Sequence, residues 1–238
     1  ENHGVRDDVV VNIFEGTYSE AIKMDSVPGA SSNNTILIQS VDSDSTKVII
    51  RPTYAPALEL NGTKYITFRY LTFSTVNEYS GGQGLVKITG NSDHVVIANN
   101  ELLGKWSNVS GNKYVIYGYA VNDLTNNSNI TISNNLIKSG SHGIYFTGRA
   151  ALYSTGLVIT NNKIVDAVEY CIWLKYMDAP IISGNIANTS KGRPYTASIN
   201  VGYYLENCSN NLKITKNRII SPASGCNLLV IKNCNGTE

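Results

Sequence analysis

Apolar and polar residues alternate along this chain in short runs, without the three-to-four spacing of an amphipathic helix, and the runs break at asparagine or glycine. One pattern returns: "VVIANNELL" (95–103), "ITISNNLIK" (130–138), "LVITNNKIV" (157–165), "PIISGNIAN" (180–188) and "LKITKNRII" (212–220). The matching asparagines, Asn100, Asn135, Asn162, Asn185 and Asn217, are separated by 35, 27, 23 and 32 residues. "YITFRYLTF" (65–73) reads as an earlier copy with Tyr70 at the asparagine position. Each copy predicts a short strand with a polar break. A second strand follows it, in "GLVKITG", "VIYGYAV", "HGIYFTG", "CIWLKY", "SINVGYYL" and "NLLVIKN".

Two short strands per repeat cannot enclose a core, so neighbouring repeats must stack, each as one coil of a solenoid. Counting from "VVVNIF" to "LLVIKN" gives about eight coils in one all-β domain over 1–238. At a strand spacing of ~4.8 Å the stack is about 40 Å long. Asparagine suits the corners because its amide bonds the backbone, tolerates left-handed conformations and can pair with the asparagine above and below. The inward columns expected from this alignment hold Ile116, Ile144, Ile172, Ile199, Ile132, Ile159 and Ile214.

These repeats resemble the right-handed parallel β-helix repeat family, the architecture of pectate lyases and polygalacturonases. Upstream, "VVVNIFEGTYSEAIKM", "NNTILIQSVDSDSTKVIIRPT" and "ALELNGTKYITFRYLTF" resemble the opening coils of secreted β-helix proteins of Bacteroidetes-type bacteria. The resemblance implies a right-handed solenoid on the cell surface or outside the cell. Because that family includes both enzymes and non-enzymes, it does not by itself fix an activity.

Composition fits this picture: Asn, Gly, Ser, Thr and Val abound, and stretches rich in Ala or in Glu and Lys are absent. A net charge of +1 argues against nucleic acid as a partner. No apolar run approaches the length of a membrane-spanning helix. Eight Asn-x-Ser/Thr triplets, at Asn33, Asn61, Asn108, Asn126, Asn129, Asn188, Asn207 and Asn235, agree weakly with an extracellular setting. The chain starts at Glu1 without a signal peptide, and neither end shows a cap. The expectation is a segment of a longer protein, or coils that stack end to end between chains.

The inward alignment forces Tyr117, Tyr145 and Trp173 into one outward column at steps of 28 residues, with Lys87 one coil earlier and Asn200 one coil later. Tyr119, Thr147 and Lys175 form a second column, with Tyr203 or Tyr204 near its end. Two readings fit: stacked aromatics that stabilise the sheet, or a platform for pyranose rings on which Lys87, Arg149 and Lys175 supply polar contacts. The partner expected on the second reading is a polysaccharide or other glycan. Insertions at 104–114, holding Trp106, and at 149–156 would build the walls of a groove.

Evidence for catalysis is thin. "SHGIYFTG" loosely resembles the Gly-His-Gly strand of polygalacturonases, which would make His142 an auxiliary histidine, but the preceding coil offers only Asp123 in place of a carboxylate pair. His142 then reads as a turn residue. A lyase would use Arg149, Lys175 or Lys87 as base, often with calcium, yet Asp123, Asp166, Glu169 and Asp178 form no evident cluster, and Asp166 and Asp178 read as solvated turn residues. No metal or other cofactor is expected. Among the cysteines, at 171, 208, 226 and 234, no zinc spacing occurs, and Cys171 reads as a small, partly buried thiol. Cys208 and Cys234 lie 26 residues apart, one coil, so they should be neighbours, either as a disulfide or as stacked thiols. Cys171 and Cys226 share another alignment but stand two coils apart, too far to bridge.

Overall fold

The computed structural model describes residues 4–77, 83–105, 112–189, 201–220 and 226–235. Every named element within them is a strand. The strands form three eight-stranded sheets that run the length of the stack, and their pairings are parallel. A central coil shows the plan: Asp93–Ala98 lies in the first sheet, Glu101–Leu103 in the second and Lys113–Tyr119 in the third. The next coil begins again in the first sheet at Thr131–Ser133, directly against Asp93–Ala98.

A coil therefore carries three strands, where the alternation pattern suggested two. The repeated motif divides at its asparagine, and the chain turns there from the first sheet into the second. Two adjacent residues share the task. The first adopts a left-handed conformation, as at Asn99, Asn134, Asn161, Gly184 and Lys216 (φ 56°, 55°, 55°, 69° and 56°). Its successor points inward and bonds to its counterparts in adjacent coils. Tyr70 corresponds to Asn99, because its N–H donates to the Asn99 carbonyl; the ladder position of that coil is Leu71, not Tyr70.

Asn100, Asn135, Asn162, Asn185 and Asn217 form one continuous hydrogen-bonded ladder. From Asn135 onward each side-chain Oδ1 accepts from the backbone N–H and the Nδ2 of the preceding asparagine, as where Asn162 Oδ1 receives both from Asn135 at 3.0 Å, while Asn100 Oδ1 accepts from the Leu71 N–H at 2.9 Å. Each Nδ2 also donates to a carbonyl one coil back, Asn162 to Ile132 at 2.8 Å. The four upper asparagines are buried, and no amide atom among them lacks a partner. Inside the tube, Ile116, Ile144, Ile172, Ile132 and Ile159 are fully buried among Leu and Phe from all three sheets. Ile214 is half-buried in the final described coil, and Ile199 lies outside the described residues.

Candidate functional site

The third sheet carries the outward aromatics, and their placement follows from a break in its alternation. In Lys113–Tyr119, both Val115 and Ile116 are buried in the core, and the same holds for Cys171 and Ile172 two coils on. Gly143 stands at the corresponding place in the strand between, where a Cβ would lie 2.6 Å from the Ile164 side chain. Two successive inward residues bring Tyr114, His142 and Tyr170 back to the outer face, on the same side as Tyr117, Tyr145 and Trp173. The first set pairs in register, as Tyr114 with His142 and His142 with Tyr170. So does the second, from Lys87 through Tyr117, Tyr145 and Trp173 to Tyr204.

The outcome is a sheet of rings two columns wide. Tyr117 stacks on Tyr145 at 5.6 Å, Tyr145 meets Trp173 at 4.8 Å, and Trp173 meets Tyr204 edge-on at 5.6 Å. Tyr114 stacks on both Tyr117 (4.4 Å) and Tyr145 (5.0 Å), and Tyr117 stacks on Tyr119 at 4.5 Å. His142 is enclosed, 4.9 Å from Tyr114 and Tyr170 and 5.5 Å from Trp173. It is a strand residue with 2% exposure and not a turn residue as the motif suggested. Its Nδ1 shares a hydrogen bond with Ser141 Oγ at 2.8 Å, while its Nε2 and the Trp173 Nε1 are buried and have no hydrogen-bond partner among the described residues. Burial pulls the His142 pKa down to about 3, so the ring is neutral at physiological pH despite the Glu169 carboxylate 3.7 Å from Nδ1. Burial also raises the phenol pKa of Tyr117, to about 12, and of Tyr114, Tyr145 and Tyr170.

Of the residues singled out in the sequence, Tyr117, Tyr145, Arg149 and Lys175 come together. With Tyr119, Thr147 and Tyr176 they line a cleft of about 310 Å³. Trp173 stands beside it against Tyr145. Lys87 belongs to the neighbouring cleft of about 440 Å³, lined also by Lys23, Asp25, Glu59 and Asn61, and Tyr119 is common to both. Asn200 lies outside the described residues, and the position after Trp173 belongs to Tyr204, because the strand in that coil runs Val201–Glu206 and starts later than the alternation suggested. Tyr203 takes the inward place beside Ile172 and is fully buried. Trp106 also lies outside the described residues.

Each cation of the site has an acidic neighbour. Lys87 Nζ is 2.6 Å from Glu59, Lys175 Nζ is 3.4 Å from Glu206, and Arg149 Nε is 3.8 Å from Asp123 while Nη2 donates to the Val121 carbonyl at 3.0 Å. Burial lowers the affinity of both lysines for a proton, but the adjacent carboxylates and tyrosines together outweigh it and both pKa values are raised. A general base needs the opposite shift. Asp178 accepts hydrogen bonds from Ser209 (2.9 Å) and Asn210 (2.6 Å), and Asp166 sits with φ of 60° at a bulge of its strand, so both have structural places and neither is a plain solvated turn. Among the described residues no group of three or more His, Cys, Asp or Glu side chains could hold a metal. Cys171 is fully buried, with its thiol pushed up to about 12 by burial.

Alternation had concealed Tyr114 and Tyr170, since they share parity with the inward Ile116 and Ile172. A signal was present nonetheless: Tyr114, His142 and Tyr170 recur at the same 28-residue step as the isoleucines.

Three parallel sheets wound coil upon coil, with side chains filling the interior, define a parallel β-solenoid. The family model described as "Right handed beta helix region" matches residues 56–236, and the chain belongs to that family. Neither the curated proteins nor the solved structures contain a match.

Proposed function

We propose that this β-helix is a secreted or cell-surface module that binds glycan on the outer face of its third sheet. The observation that carries the reading is the cleft that Tyr117, Tyr119 and Tyr145 line together with the cationic groups of Arg149 and Lys175. Aromatic faces suit the apolar faces of pyranose rings, and a preformed sheet loses little freedom when a ligand lies on it. Both cations can exchange their Glu206 and Asp123 partners for an acidic group on a saccharide, which favours uronate-containing or sulfated glycans over neutral ones. A part in an adhesin stalk is compatible with the same rigid tube. The alternative of a polysaccharide lyase or glycoside hydrolase is weaker, because Lys87 and Lys175 are held protonated and the residue opposite Arg149 is the single exposed Asp123.

The test is calorimetric titration with a panel of neutral and acidic oligosaccharides, on the wild type and on an Arg149→Gln/Lys175→Gln double variant that removes both charges and keeps every aromatic ring of the cleft. The expected result is weak binding of acidic members that the double variant loses by roughly tenfold or more. Equal binding by both proteins, or binding by neither, would reject the cleft as the site. Release of unsaturated products from a uronate polymer would favour the lyase instead.

A further inference from the structure

We propose that Cys208 and Cys234 are a cross-coil cystine site, joined when the protein meets a disulfide oxidant such as oxidised glutathione. The two residues are in-register neighbours: Ser209 forms a parallel bridge with Asn235, and the Asn235 N–H donates to the Cys208 carbonyl at 3.0 Å. Register neighbours on adjacent coils have Cα atoms about 4.8 Å apart, inside the range a disulfide spans. The Cys234 side chain also reaches Cys208, whose backbone N–H donates to Cys234 Sγ at 3.3 Å. Both are free thiols, with Cys208 in the core and Cys234 packed against it but partly exposed.

Among the described residues the other two thiols have no comparable neighbour. Cys171 lies between Tyr170 and Ile172, which pair with Val201 and Tyr203, so its place in the next coil belongs to Gly202. Cys226 precedes Asn227, the partner of Val201, and so does not share the Cys171 column as the sequence alignment suggested.

The chemistry assigns an order to the two sulfurs. Burial, followed by the nearby Cys234, pushes the Cys208 thiol up to about 12, which leaves the more exposed Cys234 as the first nucleophile. Its thiolate attacks one sulfur of oxidised glutathione, the glutathione S–S bond breaks, and a glutathione thiolate leaves and takes up a proton. Cys208 then gives its proton to solvent and attacks Cys234 Sγ, displacing the second glutathione. Two cysteine thiols have lost two electrons and two protons, and one oxidised glutathione has become two reduced molecules. The new bond fastens the strand Asn227–Lys232 to Val201–Glu206. That final described coil exposes Leu228, Leu229 and Ile231 by 48%, 44% and 51%, so the bond would add a restraint where packing is sparse.

The experiment incubates the full chain with oxidised glutathione, unfolds it, counts thiols and maps peptides by mass. The expected result is the loss of two of the four thiols, a Cys208–Cys234 peptide that separates on reduction, and slower amide exchange over Asn227–Lys232. The Cys226→Ser variant should still lose two thiols. The Cys234→Ser variant should keep its remaining three free of any internal link. Persistence of four thiols, arrest at a glutathione adduct, linkage to Cys171 or Cys226, or linkage only between chains would each overturn the proposal.

Discussion

Asn162→Ala tests the ladder that joins the coils. The amide of Asn162 donates to the Ile132 carbonyl at 2.8 Å and to Asn185 Oδ1 at 3.0 Å, and it accepts from the Asn135 backbone N–H and Nδ2, each at 3.0 Å. Truncation removes four hydrogen bonds. At about 1 kcal/mol net for each, the loss is roughly 4 kcal/mol, and it is shared between two buried asparagines that are left short of partners. For a chain of this size that corresponds to a fall in Tm of roughly 10 °C. Asn217→Ala is the internal comparison. Its amide also has partners, donating to Ile182 at 2.8 Å and accepting from Asn185, but it is half-buried and water can replace what is lost. A cost of about 1–2 kcal/mol is expected there. Urea denaturation followed by circular dichroism gives both values. Hydrogen exchange adds a local readout, because the Asn135 amide should lose protection only in Asn162→Ala. If the two variants are equally stable, or if the Asn135 amide stays protected, the ladder does not hold the coils together.

Other expectations follow from particular contacts. The His142 pKa is lowered to about 3 in the folded protein against 6.5 unfolded, so the unfolded chain takes up a proton first as pH falls. Stability present at neutral pH should decline below about pH 6.5 and continue to fall toward about pH 3, by roughly 3 kcal/mol from this group at pH 4.5. His142→Phe should flatten that acid limb in pH-dependent urea titrations, and an unchanged limb would assign it to carboxylates. Trp173→Ala should lower stability by about 3 kcal/mol even though its column faces outward, because the ring packs on Tyr145, His142, Tyr170 and Tyr204; a thermal melt that does not move would mark the aromatics as purely a binding surface. Gly118→Ala would place a Cβ 2.0 Å from the Phe146 ring, with an expected cost of about 1–3 kcal/mol by calorimetry.

The sequence by itself determined the solenoid. Strands of period two, broken at recurring asparagines and too short to bury anything alone, leave stacking as the way to enclose a core, and the 28-residue step placed Ile116, Ile144 and Ile172 in one buried column with Tyr117, Tyr145 and Trp173 beside it. It also placed Cys208 beside Cys234, because in-register coils convert residue spacing directly into distance. Only the tertiary structure decided the rest. Strict alternation could not show the doubled inward step at Val115–Ile116 and Cys171–Ile172, which turns Tyr114, His142 and Tyr170 outward, since the step is made in register by neighbouring strands together and not by the alternation within one of them. Nor could it fix the start of the strand Val201–Glu206, where Tyr203 fills the core position beside Ile172 and Tyr204 extends the aromatic column. The burial that holds His142 neutral, and the meeting of Arg149 and Lys175 at one cleft, arise from coils that are distant in sequence and adjacent in space.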